Sequence, residues 1–106
     1  MIKNSKTDTL ILEKTKVVLK KPDRFKVILL NDDYTPQEFV VWVLAKVFQK
    51  TLEESRQIMW TAHTTGSAVC GTYTLDIAKT KVEEVHRLAE EEGHPLRCTL
   101  AKEEGE

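Results

Sequence analysis

The first strong apolar run along the chain is Phe25-Lys26-Val27-Ile28-Leu29-Leu30, rich in β-branched and aromatic side chains. It predicts a buried strand. Asn31-Asp32-Asp33-Tyr34 follows as a turn-forming cluster. Thr35-Pro36-Gln37-Glu38 has the form of a capping box with Pro at the first helical position. Behind it Phe39, Val40, Val43, Leu44 and Val47 recur at helical spacing as one stripe. Thr51-Leu52-Glu53-Glu54 is a second capping box and opens a helix through Ile58, Met59 and Ala62 that Gly66 is placed to end. Ala68 to Tyr73 predicts a second short strand.

Thr74 is placed to cap a third helix that buries Leu75, Ala78, Val82, Val85, Leu88 and Ala89. Gly93 ends that helix and Pro95 prevents its return. Leu96, Cys98 and Leu100 alternate with Arg97, Thr99 and Ala101, as in a half-buried strand. The order is β-α-α-β-α-β, an α+β domain in which a small sheet is covered by helices. Residues 1–21 are polar and Lys-rich and are expected to form a flexible N-terminal arm. Within it Val17-Val18-Leu19 is open between a short strand and a sticky patch. Lys21-Pro22-Asp23 marks the boundary of a core domain over residues 22–102, and residues 103–106 are a charged tail expected to fray.

Composition narrows the function classes. The chain has 106 residues, 41% hydrophobic and 31% charged, enough for one domain with one core. Net charge is −1, split into +4 over residues 1–21 and −5 over the rest, so no global field draws it to nucleic acid or membrane. No apolar run reaches the ~20 residues of a membrane helix, and Leu10-Ile11-Leu12 is too short for a signal-peptide core. The expected compartment is the cytoplasm. There Cys70 and Cys98 read as small buried hydrophobes.

The Asn31-Asp32-Asp33 cluster lies between a strand and a capped helix, where loops display function. By spacing alone it is first an ordinary turn, and second an acidic pair able to hold a cation or an amine. His63 lies one turn beyond Met59, and a lone histidine is more often a solvated or satisfied side chain than a functional one. His86 is expected to face solvent among Glu83, Glu84, Arg87 and Glu90, and His94 to sit in a turn that caps the third helix. His63, Cys70, His94 and Cys98 are zinc-ligand types without the paired short spacings of a structural zinc site. Both cysteines sit in strand patterns where a thiol stays protonated. The four glycines make no phosphate-binding loop, and the aromatic residues are not interleaved with a basic stripe. Trp42 and Trp60 read as helical core or rim residues.

The string from Phe25 to Val40, with Asn31-Asp32-Asp33-Tyr34-Thr35-Pro36 at its centre, resembles the ClpS adaptor family. So do Ala62-His63, which places a His 32 positions after Asn31, and Val69-Cys70-Gly71, Ala78-Lys79-Thr80-Lys81-Val82, His94-Pro95-Leu96 and Cys98-Thr99. The resemblance covers about residues 22–102 and leaves the arm unmatched. It implies a three-stranded antiparallel sheet packed on three helices, and a monomeric adaptor without catalysis, cofactor or metal. It implies binding of substrates with a bulky hydrophobic N-terminal residue (Leu, Phe, Tyr or Trp). It also implies their delivery to the N-terminal domain of the ClpA unfoldase for degradation by ClpAP. Carried over residue by residue, Asn31, Asp33 and His63 hold the free α-amino group and Asp32 lies against the next peptide unit. Leu29, Leu30, Thr35, Gln37, Val40, Met59, Ala62 and Leu96 line the side-chain pocket. Asp76 and Lys81 face ClpA, and the arm is the part that the unfoldase pulls.

Gln37 stands where the family often has Met, and Ala62 where it often has Val, which implies a shifted or relaxed preference, toward larger aromatic rings. Three rivals remain. The same fold resembles the C-terminal domain of the ribosomal stalk protein, which lacks the amine-binding set. Asp32, Asp33 and His63 suggest a metal-dependent hydrolase. A third rival is an inhibitor that docks on ClpA and blocks other substrates.

Overall fold

The structure, a computed structural model, describes residues 9–13 and 16–104. Strand β3 (Arg24–Leu30) is the middle of a three-stranded antiparallel sheet, between β4 (Ser67–Thr74) and β5 (Arg97–Lys102). The apolar run that makes β3 is divided by the pleat. Val27 and Leu29 point into the core, while Lys26, Ile28 and Leu30 point away from it. Opposite them, Val27 pairs with Gly71 and Ile28 with Val69, so Cys70 is an extra residue that bulges β4. Three helices are packed with this sheet: α1 (Gln37–Phe48), α2 (Leu52–Thr65) and α3 (Leu75–Glu91). Helix α3 lies against all three strands, and α1 packs on α2 and α3. The core sits between them, with Val27, Leu44, Ala78, Val85 and Ala89 at zero exposure. The element order and the three-stranded sheet match the sequence expectation.

Ahead of this domain, β1 (Thr9–Glu13) pairs antiparallel with β2 (Lys16–Lys20). Val17-Val18-Leu19 therefore lies in a strand, one of the two options left open, inside a stretch expected to be an arm. The rest of the arm, residues 1–8, 14 and 15, lies outside the described residues, as do residues 105–106 of the tail.

Helix ends show where local sequence rules hold and where a neighbour overrides them. At α2 the capping box is complete: Glu54 N–H donates to Thr51 Oγ1 and Thr51 N–H to the Glu54 side chain, each at 3.0 Å. Gly66 closes that helix at φ 105, a left-handed conformation that a side chain resists, and donates its N–H to Ala62 O. Gly93, at φ 75, follows Glu92, the C-cap of α3, and donates its N–H to Glu90 O. The box expected at Thr35 does not form. Asp32 is a charged and therefore stronger acceptor, and it takes both the amide and the hydroxyl of Thr35. Pro36 becomes the extended N-cap instead of the first helical residue, and its carbonyl accepts from Phe39 and Val40. Thr74 occupies the N-cap of α3 without a side-chain cap bond, and Leu75 behind it is 40% exposed rather than buried. Helical spacing alone places Leu75 on the apolar side, but it is the first residue of α3, directly after β4.

His86 also departs from expectation. It is half-buried, and its Nε2 accepts the amide of Cys98 at 3.0 Å. Strand β5 is an edge strand, so alternate amides have no strand partner, and the imidazole covers one of them. Periodicity along α3 reveals only that helix's own neighbours, not the strand laid beside them. An accepting Nε2 must be unprotonated. Burial first, and the nearby Arg97 charge next, hold His86 below the ordinary imidazole value. The folded state thus binds fewer protons there than the unfolded chain. This stabilisation is complete above the unfolded imidazole pKa of about 6.5 and is lost as pH falls from there toward the depressed folded value. We expect the thermal midpoint to drop between pH 7.5 and pH 5.5, and to drop less in His86→Gln, whose amide oxygen accepts without titrating. Equal drops in the two proteins, measured by circular dichroism, would rule this linkage out.

Candidate functional site

The end of β3 and the end of α2 are joined by one bond: Asn31 N–H donates to Gly66 O at 3.0 Å. Residues 31 and 63 are thereby brought to one place, because His63 lies one turn before Gly66. The loop from Asn31 to Thr35 is shaped by Asp32. Its carboxylate accepts from Tyr34 N at 2.8 Å, from Thr35 N at 2.7 Å and from Thr35 Oγ1 at 2.9 Å. Partial burial pushes this carboxyl up. The amides of Thr35 and Tyr34, the Thr35 hydroxyl and the nearby His94 outweigh that and hold it below its usual range. His94 is itself packed edge-on against Phe39, with ring centroids 4.7 Å apart, and its backbone N–H caps α3 through Ala89 O.

With its carboxylate turned back into the loop, Asp32 fixes the backbone that carries Asn31 and Asp33, both exposed. Between this loop, α1 and α2 lies a cavity of about 150 Å³. Its inner walls are Leu29, Val40, Ala62 and Leu96, each at least nine-tenths buried and part of the core. Such walls cannot retreat without repacking the domain. Its rim is softer, with Leu30, Thr35, Gln37 and Met59. At its mouth stand Asn31, Asp32, Asp33 and His63. All twelve residues that the resemblance assigned to amine, peptide and side-chain contacts therefore line one cavity. The other two, Asp76 and Lys81, line a separate groove between the end of α1 and the start of α3.

That groove holds an internal brace. Lys81 Nζ donates to Val47 O at 2.7 Å and to Gln49 Oε1 at 3.2 Å, and lies 5.6 Å from the Tyr73 ring centroid. It neutralises the carbonyl end of α1, where cations are favoured. Ile77, half exposed, forms the apolar part of the groove. Sequence reasoning missed both the brace and Ile77. An exposed Ile on the outer side of a helix was the available signal.

The chemistry of the site is that of binding. Asn31, Asp33 and His63 present polar atoms able to accept hydrogen bonds beside an apolar recess. Among the described residues no group of three or more His, Cys, Asp or Glu side chains is placed to hold a metal ion. Hydrogen bonding to Cys98 and burial push the Cys70 thiol far above its ordinary value, so that thiol stays protonated. Trp60, which the sequence left as core or rim, is exposed, and its ring lies 5.4 Å from that of His63. Among the described residues no helix is long and apolar enough to cross a membrane.

Comparison with known proteins places the chain in a family. Residues 20–99 match the family described as ATP-dependent Clp protease adaptor protein ClpS. This chain belongs to the ClpS family. It is 74% identical over 94 residues to the ClpS adapter protein of Leptospira biflexa, covering 89% of this chain and 83% of that one. With the ClpS adapter of Burkholderia cenocepacia the identity is 50% over 95 residues, covering 90% and 91%. The solved structure of Agrobacterium tumefaciens ClpS2 bound to L-phenylalaninamide is similar at a TM-score of 0.76 and 48% identity. That match covers 78% of this chain and all of that one. The chain is thus a Clp protease adaptor and not an enzyme.

If Asp32 shapes the loop as described, Asp32→Ala removes three hydrogen bonds and costs about 1 kcal/mol. Asp32→Asn keeps an acceptor oxygen and should lose less. Urea denaturation of the three proteins checks both the sign and the order.

Proposed function

We propose that this adaptor binds the free N-terminus of proteins that begin with a bulky hydrophobic residue and delivers them to a ClpA-type AAA+ unfoldase for degradation by ClpAP. One observation carries this: Asn31 and Asp33 of one loop and His63, 32 positions after Asn31, meet at the mouth of an apolar cavity. An α-amino group has a pKa near ~8 and is mostly charged at neutral pH. Only a chain terminus presents that charge beside a side chain. Asn31 and His63 accept its hydrogen bonds, Asp33 favours its charge and Asp32 lies against the next peptide unit. The side chain enters between Leu29, Val40, Ala62 and Leu96. Support comes from the related ClpS2 bound to L-phenylalaninamide, a ligand with a free amine beside a benzyl group.

The cavity size bears on preference. At about 150 Å³ it is comparable to an engineered apolar cavity of about that volume which takes up benzene. A phenyl or isobutyl group fits and an indole is larger. Leu and Phe should therefore rank ahead of Trp, in contrast to the shift toward larger rings expected from Gln37 and Ala62. Charge-assisted hydrogen bonds contribute ~1.5–3 kcal/mol each and burial of the side chain ~1.5–3 kcal/mol. After ordering costs the sum corresponds to about micromolar affinity, suited to a carrier that must release its cargo.

The groove of Asp76, Ile77 and Lys81 is the face that meets the unfoldase. Ile77 supplies an exposed apolar contact and Asp76 the charge, while Lys81 holds the groove's shape through α1.

Two measurements test these assignments. Calorimetric titration with a Phe-first peptide should give micromolar binding that is lost on N-acetylation and falls at least about tenfold in His63→Ala. Equal binding of both peptides would remove the amine reading. For the second face, Ile77→Ser should weaken capture of the unfoldase's N-terminal domain without lowering the thermal midpoint, whereas Lys81→Ala should lower both. Undiminished capture by Ile77→Ser would move the docking face elsewhere.

A further inference from the structure

We infer that Trp60 is a positioning residue for His63, holding its imidazole over the pocket mouth. The inference rests on the proposed role of His63 as an acceptor for the α-amino group. His63 is exposed, and among the described residues its ring takes part in no hydrogen bond. An unrestrained surface side chain on a helix visits several rotamers. Residue 60 is one turn earlier on the same side of α2, and helical side chains lean toward the N-terminus, so the imidazole comes down beside the indole. The ring centroids are 5.4 Å apart at an interplanar angle of 40°, within the range of favourable aromatic pairs.

Trp60 has no other evident task. It is 57% exposed, so it is not part of the core. It borders a shallow cleft with Glu53, Arg56 and Gln57 of the same helix, three polar side chains. It does not line the main cavity, whereas Met59, Ala62 and His63 do. On the helix surface His63 lies between Met59 and Trp60, so the indole backs the imidazole from the side away from the recess. The site thus has one wall, His63, whose orientation is set from outside.

The test uses the full chain and calorimetry with a Phe-first peptide, free and N-acetylated. The variants are Trp60→Ala, Trp60→Phe, His63→Ala and the double variant Trp60→Ala/His63→Ala. Trp60→Ala should weaken binding of the free peptide about fivefold, and Trp60→Phe should recover most of it. In the His63→Ala background, loss of Trp60 should cost nothing more. In the NMR spectrum of the unliganded protein, the His63 ring protons should lose a ring-current shift in Trp60→Ala. Acetylation-sensitive binding that Trp60→Ala leaves unchanged overturns the inference alone. An additional loss in the His63→Ala background also overturns it, because Trp60 would then touch the peptide itself. Unmoved His63 resonances in Trp60→Ala overturn it as well. Binding indifferent to acetylation overturns the amine reading, and the positioning role falls with it.

Discussion

The Asp32 carboxylate accepts three hydrogen bonds from Tyr34 and Thr35, and the bond from Asn31 to Gly66 anchors the loop to the end of α2. Together they fix a loop that would otherwise be a run of flexible polar residues. The rest of the site depends on this. Asn31 and Asp33 have no side-chain hydrogen bond among those described, so their direction is set by backbone alone. An acceptor set prepared in advance spares the ligand the entropy of ordering it. The cost falls on the helix, since Thr35 is withdrawn from capping and α1 begins behind a proline that donates no hydrogen bond.

Rigid inner walls and a soft rim divide the work of recognition. Leu29, Val40, Ala62 and Leu96 belong at once to the cavity and to the core, so the recess has a shape of its own before anything enters. Leu30, Met59 and Gln37 sit where side chains can adjust. A recess of this kind discriminates by volume at its base and tolerates variation at its mouth. Binding of an ammonium and a side chain together needs no nucleophile and no general acid, which fits an adaptor without catalysis.

Much of this was legible along the chain. The β-branched run, the second capping box and the left-handed glycines gave the elements, because each signal is local and is met by local bonds. The cavity lining was legible only through resemblance to ClpS. By spacing alone Asn31-Asp32-Asp33 stayed an ordinary turn, since nothing in the chain shows that residue 31 meets residue 63. What failed did so for one reason. Asp32 outcompeted the Thr35 cap, and the β5 edge recruited His86. In each case a partner from elsewhere decided the outcome, and periodicity does not reveal such partners. The ring contact of Trp60 with His63 belongs to the opposite class, since a one-turn spacing on a helix is visible in the sequence.

Helix α1 links the two proposed sites. Val40, near its start, is a wall of the cavity, and Lys46 and Val47, near its end, border the groove of Asp76, Ile77 and Lys81. Twelve residues at about 1.5 Å each separate its ends by about 18 Å. Cargo and unfoldase would thus occupy opposite ends of one helix and need not compete. The helix is held along its length by Val40, Val43, Leu44 and Val47 in the core, and at its carbonyl end by Lys81. An element pinned in this way behaves as a bracket rather than a lever. Under the proposed function, delivery would then follow from holding both partners at once.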